Sequence, residues 1–149
     1  MPDGYKHAER LLYSYPVNIL RLHSAILELR QLRAETDCHA QSYEQTFSSE
    51  GQHSAPVEHY AERVAALEQR IRSLIADTDP VSVVRCDLKN SDNELGRELF
   101  CIMELYYFEH GSIEDVAFHL QRSVSTVQRR RQDLVGLVCF EARHPEQTQ

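Results

Sequence analysis

"SIEDVAFHLQRSVSTVQRRRQDLVGLV", residues 112–138, decides how this chain is read. Ser112 is followed by Glu114 and Asp115, a serine cap with acids in the first helical turn. Val116, Ala117 and Leu120 then give a short helix one apolar face. Gln121 and Arg122 interrupt it, and Ser123 offers the next cap. Two helices joined by so tight a turn are helix-turn-helix grammar. Each spacing has a physical reason. Ala117 falls where the two helices cross, and a larger side chain would part them. Val127 packs back on the first helix and Leu120 fills the angle between them. Ala117, Leu120, Ser123, Thr126 and Val127 all match that widely used pattern. Gln121 and Arg122 depart from it, standing where the turn usually takes Gly and a small apolar residue.

The second helix separates into faces at about 100° per residue. Val124, Val127, Leu134, Val135 and Val138 fall on the core side. Ser125, Gln128, Arg129 and Gln132 form the opposite stripe, at i, i+3, i+4 and i+7. Arg forks onto guanine and Gln pairs with adenine, so this stripe suits a helix in the major groove. Arg131 falls near the core stripe and Arg130 on its edge, better placed for flanking phosphates or for glutamates of the preceding helices. Arg122, in the turn, is the leading phosphate anchor. The candidate DNA-binding set is therefore Arg122, Ser123, Ser125, Thr126, Gln128, Arg129 and Gln132, with Arg130 and Arg131. The chain has a formal charge of −7, yet residues 121–132 hold four Arg and no acid. Phosphate affinity follows local charge more than the total.

Upstream, Ser91-Asp92-Asn93-Glu94 reads as a capping box opening a helix over "ELGRELFCIMELYYFEHG". Leu95, Leu99, Ile102 and Tyr106 line one side of it, and Gly111 is the expected left-handed stop. Residues 79–90 suit a helix with Asp79 as cap and Pro80 in the first turn, although Val81, Val83 and Val84 would suit a strand. Val57, Tyr60, Val64, Leu67, Ile71 and Leu74 recur at steps of three and four. Ile19, Leu22, Ile26 and Leu29 make a second such seam. Residues 5–14 read as a separate short helix, broken at Tyr15 before Pro16. Residues 35–56, rich in Ser, Gln, His and Thr, read as a flexible link.

The expected architecture is all-α. A heptad-type helical hairpin (1–78) is followed by a connector (79–93), a helix-turn-helix domain (94–140) of the sigma region-four type and a tail (141–149). Neither seam is long enough to stand alone, so they pair within the chain or between chains. A homodimer through 16–34 and 57–75 is the corresponding expectation.

Composition agrees. The 149 residues are 42% hydrophobic, with no Trp and 5 Gly, enough for a helical core. No apolar run reaches the ~18 residues of a membrane span. The N-terminus lacks the apolar stretch of a secretion signal, so a cytoplasmic, nucleoid-associated protein is expected. Cys38, Cys86, Cys101 and Cys139 lie far apart and read as free thiols. Cys38, His39, His53 and His59 form a loose group that matches no zinc spacing, so no metal and no cofactor is expected. No nucleophile–base set or phosphate loop occurs, and Asp92, Glu94 and Glu98 read as helix-dipole partners, so no enzyme is expected.

Three stretches carry a family resemblance: "ERLLYSYPVNILRLHSAILEL" (9–29), "VEHYAERVAALEQRIRSLI" (57–75) and "LFCIMELYYFEHGSIEDVAFHLQRSVSTVQRRRQDLVGLV" (99–138). In this order the chain resembles the RinA/ArpU type of phage late-gene transcriptional regulators. The C-terminal part of that family is similar to sigma factor region four. The resemblance implies binding of double-stranded DNA upstream of phage late or packaging genes, activation of transcription and no catalysis. Two other readings fit the composition. One is a small terminase-like packaging adaptor, although such proteins usually carry the DNA module first. The other is a helical bundle that binds a protein partner such as RNA polymerase.

Overall fold

The computed structural model describes the backbone of residues 2–43 and 54–145 and the side chains of 3–36 and 57–145. The described residues are all-α. Helix α1 is Pro2–Tyr43 and α2 is Ser54–Lys89. Helix α3, Glu94–Ile102, runs into a π-helical segment, Met103–Phe108. Helix α4 is Ile113–Leu120 and α5 is Val124–Arg143. Two compact units result. The first joins Met1–Asn18 to Ala76–Gln149, and the second is Ile19–Ile75.

This division differs from a hairpin ending at 78 and a DNA module beginning at 94. The difference starts at the two prolines. Pro16 lies inside α1, and Tyr15 is not a break. An internal proline costs about 3 kcal/mol through its clash and its missing N–H. Here burial on both sides outweighs it: Leu11, Leu12 and Asn18 are all buried. Ser14 donates its hydroxyl back to the Arg10 carbonyl at 2.8 Å, and Asn18 Nδ2 donates to Ser14 Oγ at 3.2 Å. Pro80 likewise sits inside α2, with Thr78 and Val81 buried beside it, so Asp79 caps nothing. Residues 79–89 are therefore the last turns of α2 and no separate connector, helical as expected but continuous. Residues 35–43, expected in a link, are helical, as are 54–56; the remainder of that link, 44–53, lies outside the described residues.

The first unit is built on one apolar cluster. Ala8, Leu11 and Leu12 of α1 meet Val81, Val84 and Leu88 of α2 and the buried faces of α3, α4 and α5. Tyr15 and Ser82 share a hydrogen bond at 2.9 Å, and Arg85 Nε donates to Glu104 Oε1 at 2.8 Å. The cap of α3 is Asn93, not Ser91. Its side chain accepts from Gly96 N–H at 2.6 Å. Of the stripe expected on α3, Leu99 and Ile102 are buried, Leu95 is exposed, and Tyr107 rather than Tyr106 is the fully buried tyrosine. The π segment accounts for the last shift, because its wider turns displace the inward face. The left-handed residue that ends it is His110, at φ 57°, not Gly111. Gly111 is needed for another reason: a Cβ there would stand 2.9 Å from the Leu105 carbonyl oxygen.

In the second unit α1 and α2 pair within the chain, antiparallel. Leu29 and Leu32 pack on Leu67, with Tyr60, Val64 and Ile71 around them. Arg33 donates to Glu68 at 2.8 Å across the pair. Val57, expected in the seam, is exposed instead.

Candidate nucleic-acid interface

The turn between α4 and α5 is closed by the backbone. Gln121 adopts φ 55°, ψ 42°, the left-handed conformation. Arg122 N–H donates to the Ala117 carbonyl at 3.0 Å and Gln121 N–H to that of Phe118 at 3.2 Å, a Schellman closure. Ser112 caps α4 through Asp115 N–H and Ser123 caps α5 through Thr126 N–H, both as expected. Ala117 and Val116 of α4 are buried against Val127 of α5. A Gln in the left-handed region is strained where Gly is not. Gln121→Gly should therefore raise stability by about 0.5–1 kcal/mol, part of the relief being offset by unfolded-state entropy. A thermal melt checks this, and an unchanged or lowered midpoint would mean the turn is not strained.

Helix α5 keeps the two faces read from its sequence. Val127, Leu134, Val135 and Val138 are fully buried. Val124, placed with them, is exposed at the first helical position. On the other face Ser125, Arg129 and Gln132 are exposed and Gln128 is half-buried. The hydroxyls of Ser123, Ser125 and Thr126 cluster at the helix start, Ser123 Oγ lying 2.8 Å from Thr126 Oγ1 and 3.2 Å from Ser125 Oγ.

The four arginines, alike in sequence, differ in space. Arg122 is not a free cation in the turn. Its Nε donates to Glu98 Oε1 at 2.8 Å and its Nη2 to Glu94 Oε1 at 2.7 Å. The hydrogen bond that it donates to Glu98, reinforced by the charges of Glu98 and Glu94, raises its pKa above the ordinary arginine value. Arg130 Nε donates to the other oxygen of Glu98 at 3.3 Å, and its Nη1 is 3.8 Å from Asp133. Arg131 turns inward, away from any groove. Its Nη1 donates to Tyr106 hydroxyl at 2.8 Å and lies 3.5 Å from Glu9, while its guanidinium sits 5.3 Å from the Tyr106 ring centroid. Its Nε is buried without a hydrogen-bond partner among the described residues. Arg129 alone of the four has no carboxylate partner among the described residues.

The sequence pointed to glutamates of the preceding helices as partners for Arg130, which Glu98 is. It did not foresee that Glu94 and Glu98 hold Arg122. Their i, i+4 spacing on α3 was the available signal, since it places both on one helix face.

Arg131 belongs to an aromatic network below α5. Tyr107 donates to Glu9 at 3.1 Å, and the Tyr13 ring meets those of Tyr107 and Tyr106 at 4.8 and 6.2 Å. Burial pushes the Tyr13 phenol up to about 12, helped by its hydrogen bond with Tyr106, and pushes that of Tyr107 higher still. A phenol with a raised folded pKa is held neutral by the fold. That stabilisation is complete below the unfolded value near 10 and is lost as pH rises through the folded value. The melting temperature should therefore fall between pH 10 and 12, and Tyr107→Phe should flatten the fall; an equally steep fall in the variant would exclude the tyrosine network as its cause.

Among the described residues no group of His, Cys, Asp and Glu is arranged to hold a metal, and no helix is long and apolar enough to cross a membrane. Cys86, Cys101 and Cys139 are free. His59 is exposed beside Glu62, while the side chains of Cys38, His39 and His53 lie outside the described residues. No protein-family model, no curated protein and no solved structure matches this chain.

Proposed function

We propose that this protein is a sequence-specific DNA-binding transcriptional regulator that lays α5 in the major groove of double-stranded DNA as the second helix of a helix-turn-helix. The observation that carries the reading is the stripe of Ser125, Gln128, Arg129 and Gln132, exposed except for half-buried Gln128, with Arg129 uncompensated amid amides. Bidentate donors and amide pairs at i, i+3, i+4 and i+7 are what base edges in the major groove accept. The same α5 buries Val127, Leu134, Val135 and Val138 of its other face fully, so the stripe is carried on a rigid support. Arg130 and Arg131 stay outside the base-reading stripe, Arg130 standing at the flank and Arg131 supporting the helix from beneath. The resemblance to RinA/ArpU-type regulators makes late or packaging genes of a phage the proposed targets. Exposed Leu20 and Leu27, seven residues apart on α1, support a homodimer through that helix.

The test is selection of duplexes from a random pool by the purified full chain at about 50 mM salt, where phosphate contacts are strongest. A recovered common sequence supports the reading, and a palindromic one supports the dimer. Absence of any duplex binding at that salt sinks it. A protein partner such as RNA polymerase is the second reading, favoured by Phe118, which stands 88% exposed on α4. Aromatic side chains are enriched at protein interfaces.

A further inference from the structure

We infer that Arg122 is a phosphate contact held in reserve by an acidic stand-in: on DNA it releases Glu94 and takes a backbone phosphate, while Glu98 keeps hold of it. The inference rests on the DNA-binding reading above and assigns opposite roles to two carboxylates that touch the same guanidinium.

The two bonds are alike in length, 2.7 Å to Glu94 and 2.8 Å to Glu98, but not in setting. The Glu94 side chain is 79% exposed and that of Glu98 only 9%. An exposed ion pair contributes about 0–1 kcal/mol and exchanges readily for another anion. Glu98 is fixed differently. Its second oxygen holds Arg130 Nε, so one buried carboxylate ties the turn to α5. Losing it would leave two guanidinium groups without their anchor. Glu98 is thus a positioning residue and Glu94 a competitor in the place of the phosphate. The location supports this. Arg122 immediately precedes Ser123, the cap of the 20-residue α5.

Charge alone cannot separate the two acids, because Glu94→Gln and Glu98→Gln each remove one negative charge from the same neighbourhood. On charge alone both variants bind DNA more tightly. The exchange predicts opposite signs. Using the duplex recovered by selection, Glu94→Gln should tighten binding by about threefold, the worth of an exposed pair. Glu98→Gln should weaken it by about tenfold, the scale of a charge-assisted hydrogen bond. The slope of log affinity against log salt should be unchanged in Glu94→Gln and about one unit shallower in Glu98→Gln, one phosphate contact fewer. Both variants are compared well below their thermal midpoints, where each is fully folded at every salt concentration used, so reduced stability of Glu98→Gln cannot imitate the change of slope. A double variant gives a second route that leaves Glu98 in place: in an Arg122→Gln background, Glu94→Gln should bring no gain. Equal signs for the two acids, or a Glu94→Gln gain that survives loss of Arg122, would overturn the exchange while leaving DNA binding intact. Failure of the unaltered protein to bind any duplex would overturn both together.

Discussion

Leu134→Ala should destabilise the protein by about 2–5 kcal/mol, the usual cost of emptying a fully packed leucine site. Leu134 is wholly inaccessible, in one cluster with Leu12, Met103 and Tyr107, which belong to two other parts of the chain. Those neighbours are held by α1 and by the π segment, so the site has little freedom to collapse. The cost is the lost transfer energy plus the cavity left behind. Chemical denaturation followed by circular dichroism measures it, and a loss under about 1 kcal/mol would show that the α5 core is looser than its packing implies. DNA binding at temperatures where the variant remains folded should change little, because Leu134 faces away from the stripe of Ser125, Gln128, Arg129 and Gln132.

Arg129→Ala should do the reverse. The side chain is exposed and makes no ion pair among the described residues, so stability should move by no more than about 0.5 kcal/mol. Specific binding should fall by about 1–3 kcal/mol, roughly 5- to 150-fold, and the preference at one base pair should relax. Competition between the selected duplex and a scrambled one separates the two effects. Loss of affinity for both alike would make Arg129 a phosphate contact; unchanged affinity and preference would move the interface away from this face of α5. The pair of substitutions tests the two sides of one helix with readouts that do not overlap.

What could be read from the sequence depended on whether the deciding interactions were local. The serine caps at 112 and 123 and, Val124 apart, the two faces of α5 all arise within a few residues, and the structure places them as expected. The seam residues Leu29, Leu67 and Ile71 follow the same logic through their period. The misreadings share the opposite cause. Pro16 and Pro80 are strong local breakers, and only burial of Leu12, Asn18 and Val81 by distant segments keeps their helices continuous. The π segment obeys no apolar period, which moved the buried position from Tyr106 to Tyr107. Asn93 displaced Ser91 as cap because two competent residues lay two positions apart, and the local code does not rank them. Within the candidate interface, Arg129 and the amides followed from helix geometry alone. The restraint on Arg122 did not, since it comes from Glu94 and Glu98, 28 and 24 residues away.

The first unit takes its opening helical turns from the very start of the chain and everything else from beyond residue 75. No single cut can therefore excise it. A fragment beginning at residue 79 or 94 would lack Ala8, Leu11 and Leu12 and would leave Tyr107 and Arg131 without Glu9. During synthesis the same topology imposes an order: the helical turns before residue 19 emerge ahead of the rest of their unit and must wait for it, and the unit's core closes only once α5 has left the ribosome.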